Sequence, residues 1–263
     1  MRLFLFDVDG TLLSARGAGR RAIGRALEAV YGVTGPIDRY DFRGKTDPQI
    51  VFDLLEAAGV ATDRIQDRLA RFYDRYVEDL RTEIWRGGGP TLLPGVSELV
   101  GRLSECPDAI LGLLTGNIEA GARIKLEPTG LLPHFRLGAY GSDDVDRAKL
   151  PDVAARRAET LVRQVISRDW VVVIGDTPLD IACARAYGAR AVAVATGWHG
   201  IEELAAHRPD VLFADFADVS QVLTTLLDGQ PGRSDSSRSG FTCWLPSCGW
   251  AGFSSRATSC SRC

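Results

Sequence analysis

Two aspartates, Asp7 and Asp9, directly follow a short apolar run at the start of the chain. That run, Leu3 to Phe6, contains only leucine and phenylalanine, which is typical of a strand buried on both faces. Gly10 and Thr11 come next, and the glycine permits a sharp turn. Aspartate and glycine are also common turn residues, so this segment alone is equally well explained as an acidic turn. Alternatively, two carboxylates at the carboxyl end of a strand could bind a metal ion and a phosphate group.

Three further polar clusters follow apolar runs later in the chain. They are Thr115-Gly116-Asn117, the segment from Gly141 to Lys149, and Gly175 to Asp180. Cleavage of a phosphate ester needs a nucleophile, a hard cation and groups that neutralise the phosphoryl oxygens. Mg²⁺ prefers carboxylates, and a carboxylate can also attack phosphorus to form an aspartyl-phosphate. The clusters therefore contain the residue types that phosphoryl transfer requires.

Apolar strands and amphipathic helices alternate through most of the chain. The predicted strands share short buried runs and cover 3–6, 109–114, 137–140, 170–174, 191–195 and 211–213. The predicted helices between and after them cover 96–103, 118–126, 151–167, 178–187, 201–206 and 219–227. This alternation predicts an α/β fold, a Rossmann-like parallel sheet with right-handed crossovers. Ligands bind beyond the carboxyl ends of such strands, where every polar cluster lies.

Between the first strand and the rest, the periodicity is helical only. Apolar residues recur at helical spacing over 18–31, 48–58 and 64–80, and a Gly-Gly-Gly-Pro break follows at 87–90. We therefore predict an all-helical cap inserted after the first strand. The predicted domains are an α/β core at 1–14 and 89–228, a cap at 15–88 and a tail at 229–263.

Composition excludes several classes of protein. The chain has 263 residues, 45% hydrophobic residues and a net charge of −3. That charge argues against a surface built to bind nucleic acid. No stretch approaches the ~20 apolar residues that a membrane span needs, and Asp7 and Asp9 interrupt the N-terminal apolar run. We expect a soluble, cytoplasmic protein with no nucleic-acid or membrane partner.

The tail differs in composition from the rest of the chain. It is rich in Ser, Gly and Arg and contains four of the six cysteines, Cys243, Cys248, Cys260 and Cys263. Their spacing could bind zinc but lacks the paired C-x2-C knuckles of a zinc ribbon. A segment without apolar periodicity is expected to stay disordered.

Four motifs in order resemble those of the haloacid dehalogenase superfamily. They are DVDGT at 7–11, LLTGN at 113–117, Lys149, and GDTPLD at 175–180. The helical insert resembles the cap of the phosphoglycolate-phosphatase-like members, including its segment FRGKTD at 42–47. The resemblance covers about residues 1–228 and leaves the tail outside it.

The resemblance implies a role for each catalytic residue. Asp7 would be the nucleophile, and Asp9 would protonate the leaving alcohol and then activate water. Lys149 would neutralise the nucleophile and the phosphate. The family usually has Lys followed directly by Pro, whereas here Lys149-Leu150-Pro151 places Pro one residue later. Arg147 is therefore the alternative for this role, with Lys149 favoured.

The resemblance also implies the ligands of Mg²⁺ and of the substrate. Asp7, Asp176 and the backbone carbonyl of Asp9 would bind the metal. Asp180 would orient a metal ligand or a metal-bound water, and is included in the predicted metal set. Residues expected to contact the phosphorylated substrate come from two motifs and the cap: Gly10, Thr11, Thr115, Gly116, Asn117, Arg43 and Lys45.

The expected function is that of a Mg²⁺-dependent phosphatase acting on a small phosphorylated metabolite, with phosphoglycolate-like compounds favoured. The reaction would pass through an aspartyl-phosphate. The second residue of the pair, Asp9, favours a phosphatase because true dehalogenases of the family lack it. Two alternatives stay open: a sugar-phosphate mutase of the same family, and a non-catalytic interaction protein on this fold.

Overall fold

The computed structural model describes residues 1–228 and Cys243–Trp244. Its nine strands, in chain order, are β1 (Arg2–Phe6), β2 (Leu13–Ser14), β3 (Thr91–Leu92), β4 (Ala109–Thr115), β5 (Leu137–Tyr140), β6 (Val171–Gly175), β7 (Arg190–Val194), β8 (Val211–Phe213) and β9 (Cys243–Trp244). Seven of them form one sheet in the order β5-β4-β1-β6-β7-β8-β9. Every pairing in this sheet is parallel, as the alternation of strands and helices predicts.

The nine described α-helices connect and cover these strands. They are α1 (Ala18–Tyr31), α2 (Asp47–Ala57), α3 (Thr62–Glu83), α4 (Val96–Ser104), α5 (Glu119–Leu126), α6 (Leu150–Val162), α7 (Pro178–Tyr187), α8 (Ile201–Ala206) and α9 (Val219–Asp228). The first three lie between β2 and β3, where the sequence predicts only helices. We keep the name cap for residues 15–88, and the division into domains stays a prediction.

Strand β1 lies inside the sheet, between β4 and β6. Its residues Leu3 to Phe6 are fully buried, because helices cover both faces of the sheet. Phe4 and Phe6 belong to the apolar cluster that includes the cap helices, whereas Leu3 and Leu5 pack with α6 and α7. This two-sided burial explains the unbroken apolar run and places the residue after Phe6 at the carboxyl edge of the sheet.

Two details of the structure differ from the sequence prediction. Strands β2 and β3 form a short antiparallel pair at the two connections to the cap, with Leu13 opposite Leu92. Two-residue strands are too short to leave a periodic signal. Helix α6 ends at Val162 rather than near residue 167, because Arg163 adopts a left-handed conformation with φ 54° and caps the helix.

Two further sequence predictions concern membrane-spanning helices and the tail. Among the described residues, the helices are too short or too polar for any of them to cross a membrane. In the tail, Cys243–Trp244 pairs with β8, contrary to the expected disorder at these two residues. The remaining tail prediction, including a zinc site formed by its cysteines, lies outside the described residues.

Candidate active site

Three buried carboxylates meet at the carboxyl edge of the sheet. Asp7 follows β1, and its backbone N–H donates to the carbonyl of Ile174 in β6 at 2.9 Å. Asp176 follows β6, and Asp180 lies in the first turn of α7. One oxygen from each of the three carboxylates lies within 4.8 Å of the others. Neighbouring parallel strands therefore bring together the acids of two motifs that lie about 170 residues apart in sequence.

Asp176 is held in place by its packing. A Cβ at Gly197 would lie 1.7 Å from Asp176 Oδ2, and one at Gly10 would lie 2.3 Å from it. Gly10 also has φ +84°, a conformation that favours glycine. The buried Thr11 hydroxyl donates to Asp176 Oδ1 at 3.3 Å. Gly10 and Thr11, predicted to contact substrate, thus both lie against the Asp176 carboxylate and restrict its position.

Asp180 accepts hydrogen bonds both from the start of its own helix and from a neighbouring arginine. Its Oδ2 accepts from the backbone N–H and the hydroxyl of Thr177, completing a capping box at the start of α7. Its Oδ1 accepts from the Arg147 guanidinium. Since both oxygens already have donors, Asp180 is better placed to orient Arg147 than to bind a metal directly.

The structure brings Arg147, not Lys149, to Asp7, the predicted nucleophile. Arg147 is 8% exposed, and its Nη2 lies 3.2 Å from Asp7 Oδ1. The Lys149 side chain is 61% exposed and pairs with Asp144 at 3.2 Å. The two residues belong to one turn of 3-10 helix whose N-cap, Asp146, accepts from the Ala148 N–H. The preference for Lys149 is therefore corrected: this turn directs Arg147 inward and Lys149 outward.

The pocket contains three carboxyl groups and one guanidinium, and their burial and mutual charges shift their pKa values. Burial raises the pKa of Asp7, with Arg147 opposing and Asp180 adding to the shift. Burial also raises the pKa of Asp176, to which the negative charges of Asp7 and Asp180 contribute. Burial alone would lower the pKa of Arg147, but the carboxylates of Asp180 and Asp7 outweigh it and raise the pKa. Arg147 thus stays charged beside three acids.

This donor set suits a hard divalent cation. Among the described residues, Arg147 is the only cation that forms an ion pair with any of the three carboxylates, and it contacts Asp7 and Asp180 but not Asp176. A buried, oxygen-rich pocket with excess negative charge is the environment that Mg²⁺ prefers. Asp7 and Asp176 have oxygens to offer, and the backbone carbonyl of Asp9 stays a predicted third ligand.

Asp9 lies beside this pocket in a separate polar network. Its Oδ2 accepts from Asn117 Nδ2 at 2.9 Å and from Lys125 Nζ at 2.6 Å. Asn117 Nδ2 also donates to the Thr115 hydroxyl at 2.8 Å, so the second motif holds the carboxylate of the first. Thr115 and Asn117 are both buried. Their predicted contact with a phosphoryl oxygen stays a proposal.

The cap segment before α2 packs over the second motif. The Asp47 N–H donates to the Gly116 carbonyl at 2.7 Å, and a Cβ at Gly116 would lie 2.1 Å from the carbonyl oxygen of Lys45. Gly116 therefore permits close approach of the cap backbone. The two basic cap residues predicted to bind substrate are paired within the cap: Arg43 with Asp41 at 2.7 Å, and Lys45 with Asp53 at 3.3 Å.

Sequence reasoning missed two buried charged residues, Lys125 and Asp47. The Asp47 carboxylate accepts from the Ile118 N–H at 2.9 Å, and burial raises the pKa of Asp47 to about 6, with Lys125 opposing. Lys125 follows Ala122 by three residues and Gly121 by four, so it falls on the buried face of α5. A charged residue on an otherwise apolar helical face was the available signal.

The similarity of this chain to known proteins identifies its family. A family model described as haloacid dehalogenase-like hydrolase matches residues 4–194. The chain belongs to this family. The match includes the last three residues of β1 and the two motifs that contribute Asp7 and Asp176, and it contains the whole predicted cap.

Curated relatives of this haloacid dehalogenase-like hydrolase are phosphatases by name. A phosphoglycolate phosphatase of Synechococcus elongatus is 28% identical over 232 residues, which is 86% of this chain and 99% of the relative. Another, from Rhodospirillum rubrum, is 29% identical over 228 residues, covering 83% and 89%. The predicted family and the prediction of a phosphatase-type hydrolase are thereby confirmed.

Solved structures show the same fold. A hydrolase from Pseudomonas syringae superposes with a TM-score of 0.65 at 21% identity, covering 86% of this chain and 99% of that one. A predicted phosphoglycolate phosphatase from Haemophilus somnus gives a TM-score of 0.62 at 19% identity, covering 84% and 97%. The predicted fold class is therefore confirmed.

Proposed function

We propose that this hydrolase is a Mg²⁺-dependent phosphatase that cleaves a small phosphorylated metabolite through an aspartyl-phosphate on Asp7. The observation that carries the proposal is the convergence of Asp7, Asp176 and Arg147 in one buried pocket, with Asp9 at its side. Burial excludes water from the attacking carboxylate, and Arg147 supplies a fixed positive charge where the phosphoryl oxygens would lie.

The proposed reaction has two steps. In the first, Asp7 Oδ attacks phosphorus while the bond to the leaving oxygen breaks, and Asp9 gives that oxygen its proton. In the second, Asp9 takes a proton from a water molecule that attacks the phosphorus, which releases phosphate and restores the Asp7 carboxylate. One residue thus acts as acid and then as base, with each role contributing about 10²–10⁴-fold.

Asp7 and Asp176, with the Asp9 carbonyl, would hold Mg²⁺. When bound, the cation neutralises charge on the phosphoryl group and on the attacking carboxylate. Asp180 keeps Arg147 aligned by accepting a hydrogen bond from the same Nη2 that contacts Asp7, and the Thr11 hydroxyl donates to Asp176 and orients it. The Thr115 hydroxyl is proposed to donate to a phosphoryl oxygen.

For the substrate, we favour 2-phosphoglycolate. The names of the curated relatives support this choice. Arg43 and Lys45 stay proposed contacts for an anionic leaving group, which would require Asp41 and Asp53 to release them.

The test is phosphate release from 2-phosphoglycolate and from a panel of phosphorylated metabolites. Activity is expected with Mg²⁺ and is expected to be lost in EDTA and recovered on adding the metal back. Asp7→Asn should lower kcat by about 10³-fold or more, because the amide cannot attack phosphorus. Full activity of Asp7→Asn would refute the mechanism. A product that keeps its phosphoryl group on another hydroxyl would indicate a mutase instead.

A further inference from the structure

Lys125 is a buried lysine with two close polar partners. It is 4% exposed, and its Nζ lies 2.6 Å from Asp9 Oδ2 and 2.6 Å from Asn117 Oδ1. Burying an ammonium is costly unless its charge is paired and its hydrogen bonds are made. The two polar partners offset this cost, and one of them, the Asp9 carboxylate, belongs to the first motif.

The two oxygens of Asp9 have different surroundings. Lys125 and Asn117 both donate to Oδ2, whereas Oδ1 accepts no hydrogen bond from any residue that the structure describes. The Asp9 side chain is 40% exposed, although the ammonium that holds it is buried. One oxygen is thus fixed by two donors, and the other is left for a ligand.

We propose that Lys125 is a positioning residue for Asp9, fixing Oδ2 so that Oδ1 meets the leaving oxygen of the substrate. The inference rests on the proposed phosphatase function. When the bond from phosphorus to the leaving oxygen breaks, the proton on Oδ1 moves to that oxygen, and the carboxylate that remains stays bound to Lys125. Proton transfer of this kind requires a donor–acceptor distance of about 2.6–3.2 Å, so a freely rotating carboxylate would be inefficient.

The cap closes the space around the ammonium. A Cβ at Gly19 of α1 would lie 3.3 Å from Lys125 Nζ, and the fully buried Tyr76 of α3 packs on Gly121 of α5. These contacts keep water from Lys125, and low local polarity strengthens its bond to Asp9. Lys125 contacts only Oδ2 of Asp9, not the oxygen proposed to meet the substrate, and has no predicted contact with the substrate itself.

The test compares two substrates that differ in their need for a proton. An alkyl phosphate such as 2-phosphoglycolate needs an acid for its leaving group, whereas 2,4-dinitrophenyl phosphate does not. The quantity measured is kcat/KM, which reports steps up to the loss of the leaving group. In Lys125→Met we expect a fall of about 10- to 100-fold on the alkyl phosphate and less than about 3-fold on the aryl phosphate.

Arg123→Met is the matched control, since Arg123 lies on the same helix and forms an exposed ion pair with Glu119 at 2.9 Å. It should leave both values of kcat/KM unchanged. Lys125→Arg restores the positive charge and should recover part of the loss on the alkyl phosphate. Lys125→Gln is neutral but polar, and is read in the same way should Lys125→Met fail to fold.

Each outcome decides the inference. A selective loss on the alkyl phosphate in Lys125→Met or Lys125→Gln, with partial recovery in Lys125→Arg, supports it. Equal losses on both substrates indicate a purely structural role and overturn it, as does the absence of any loss. If wild-type protein cleaves neither substrate, the proposed function itself fails, and this result is separate from those of the variants.

Discussion

Arg147 Nη2 lies 3.2 Å from Asp7 Oδ1, and the same nitrogen also binds Asp180 Oδ1. This contact connects the residue proposed to attack phosphorus with a cation delivered from a turn that precedes α6. Since Arg147 is buried and its charge is fixed by two carboxylates, it is suited to stabilise charge that develops on a phosphoryl group.

The first prediction separates Arg147 from Lys149. Arg147→Met should lower kcat by about 10²-fold or more, because it removes a buried donor from the pocket. Lys149→Met should change kcat by less than about 2-fold, since surface ion pairs such as that with Asp144 contribute little. Steady-state assays with 2-phosphoglycolate at saturating Mg²⁺ make the comparison. A larger loss of kcat in Lys149→Met than in Arg147→Met would show that Lys149, not Arg147, neutralises the nucleophile.

Stability measurements should accompany these assays. Removing Arg147 leaves Asp7 and Asp180 without their shared cation, which also affects folding. Arg147→Lys keeps a charge but replaces the planar guanidinium, whose Nη2 contacts both acids, with a shorter ammonium, so it should recover only part of the activity. A variant that melts like wild type and still lacks turnover locates the defect in the reaction.

The second prediction concerns the glycine that packs on Asp176. In Gly197→Ala the new methyl group would lie 1.7 Å from Asp176 Oδ2, so that carboxylate must move. We expect the Mg²⁺ concentration for half-maximal activity to rise by about 10- to 100-fold, as when a metal ligand loses its alignment. Gly200→Ala is the control, because nothing lies within 4 Å of a Cβ there. An unchanged Mg²⁺ requirement in Gly197→Ala would argue against Asp176 as a ligand.

The sequence predicted the positions of the acids better than that of the cation. Asp7 and Asp176 could be placed together because each follows a buried strand, and parallel strands end at one edge of the sheet. Arg147 and Lys149 lie in a short turn whose direction depends on the Asp146 cap, so spacing alone could not decide between them. Lys125 escaped notice because its partner, Asp9, is 116 residues away in sequence.

The third prediction concerns the ion pairs of a buried glutamate that joins two cap helices. Glu83 of α3 is 1% exposed and binds Arg21 at 2.8 Å and Arg25 at 2.9 Å, both from α1. Glu83→Gln should lower the free energy of unfolding by about 1–3 kcal/mol, less than for a fully buried pair because both arginines are partly exposed. Glu98→Gln, which removes an exposed pair with Arg102, should change it by less than about 0.5 kcal/mol.

This effect should depend on pH. Burial opposes ionisation of Glu83, but its arginine partners outweigh that effect and lower its pKa. A carboxyl group with a lower pKa in the folded state adds stability above its usual pKa and loses that stability as pH falls. Urea unfolding at pH 7 and at pH 4 should therefore show a smaller difference between wild type and Glu83→Gln at the acidic pH. An equal difference at both would show that the arginines do not act through charge.

The fourth prediction concerns Asp47, whose pKa is raised rather than lowered, so that its effect on stability changes with pH in the opposite direction. Burial raises the pKa of Asp47 to about 6, with the Lys125 ammonium opposing. A carboxyl group with a raised pKa favours folding while it is protonated, and this contribution disappears as pH rises from about 4 to about 6. Asp47→Asn keeps an oxygen that can accept from the Ile118 N–H but carries no charge. Its stability relative to wild type should thus improve as pH rises.

The expected change between pH 4 and pH 7 is roughly 2–3 kcal/mol in the difference between the two free energies of unfolding. Urea titrations at four or five pH values measure it, and Asp74→Asn, at an exposed site on α3, provides the control. The sign follows from where the charge sits: the folded state must hold the Asp47 carboxylate away from water, whereas the unfolded chain does not. A difference independent of pH would mean that Lys125 fully compensates the buried carboxylate, so that Asp47 and Asp9 share one ammonium.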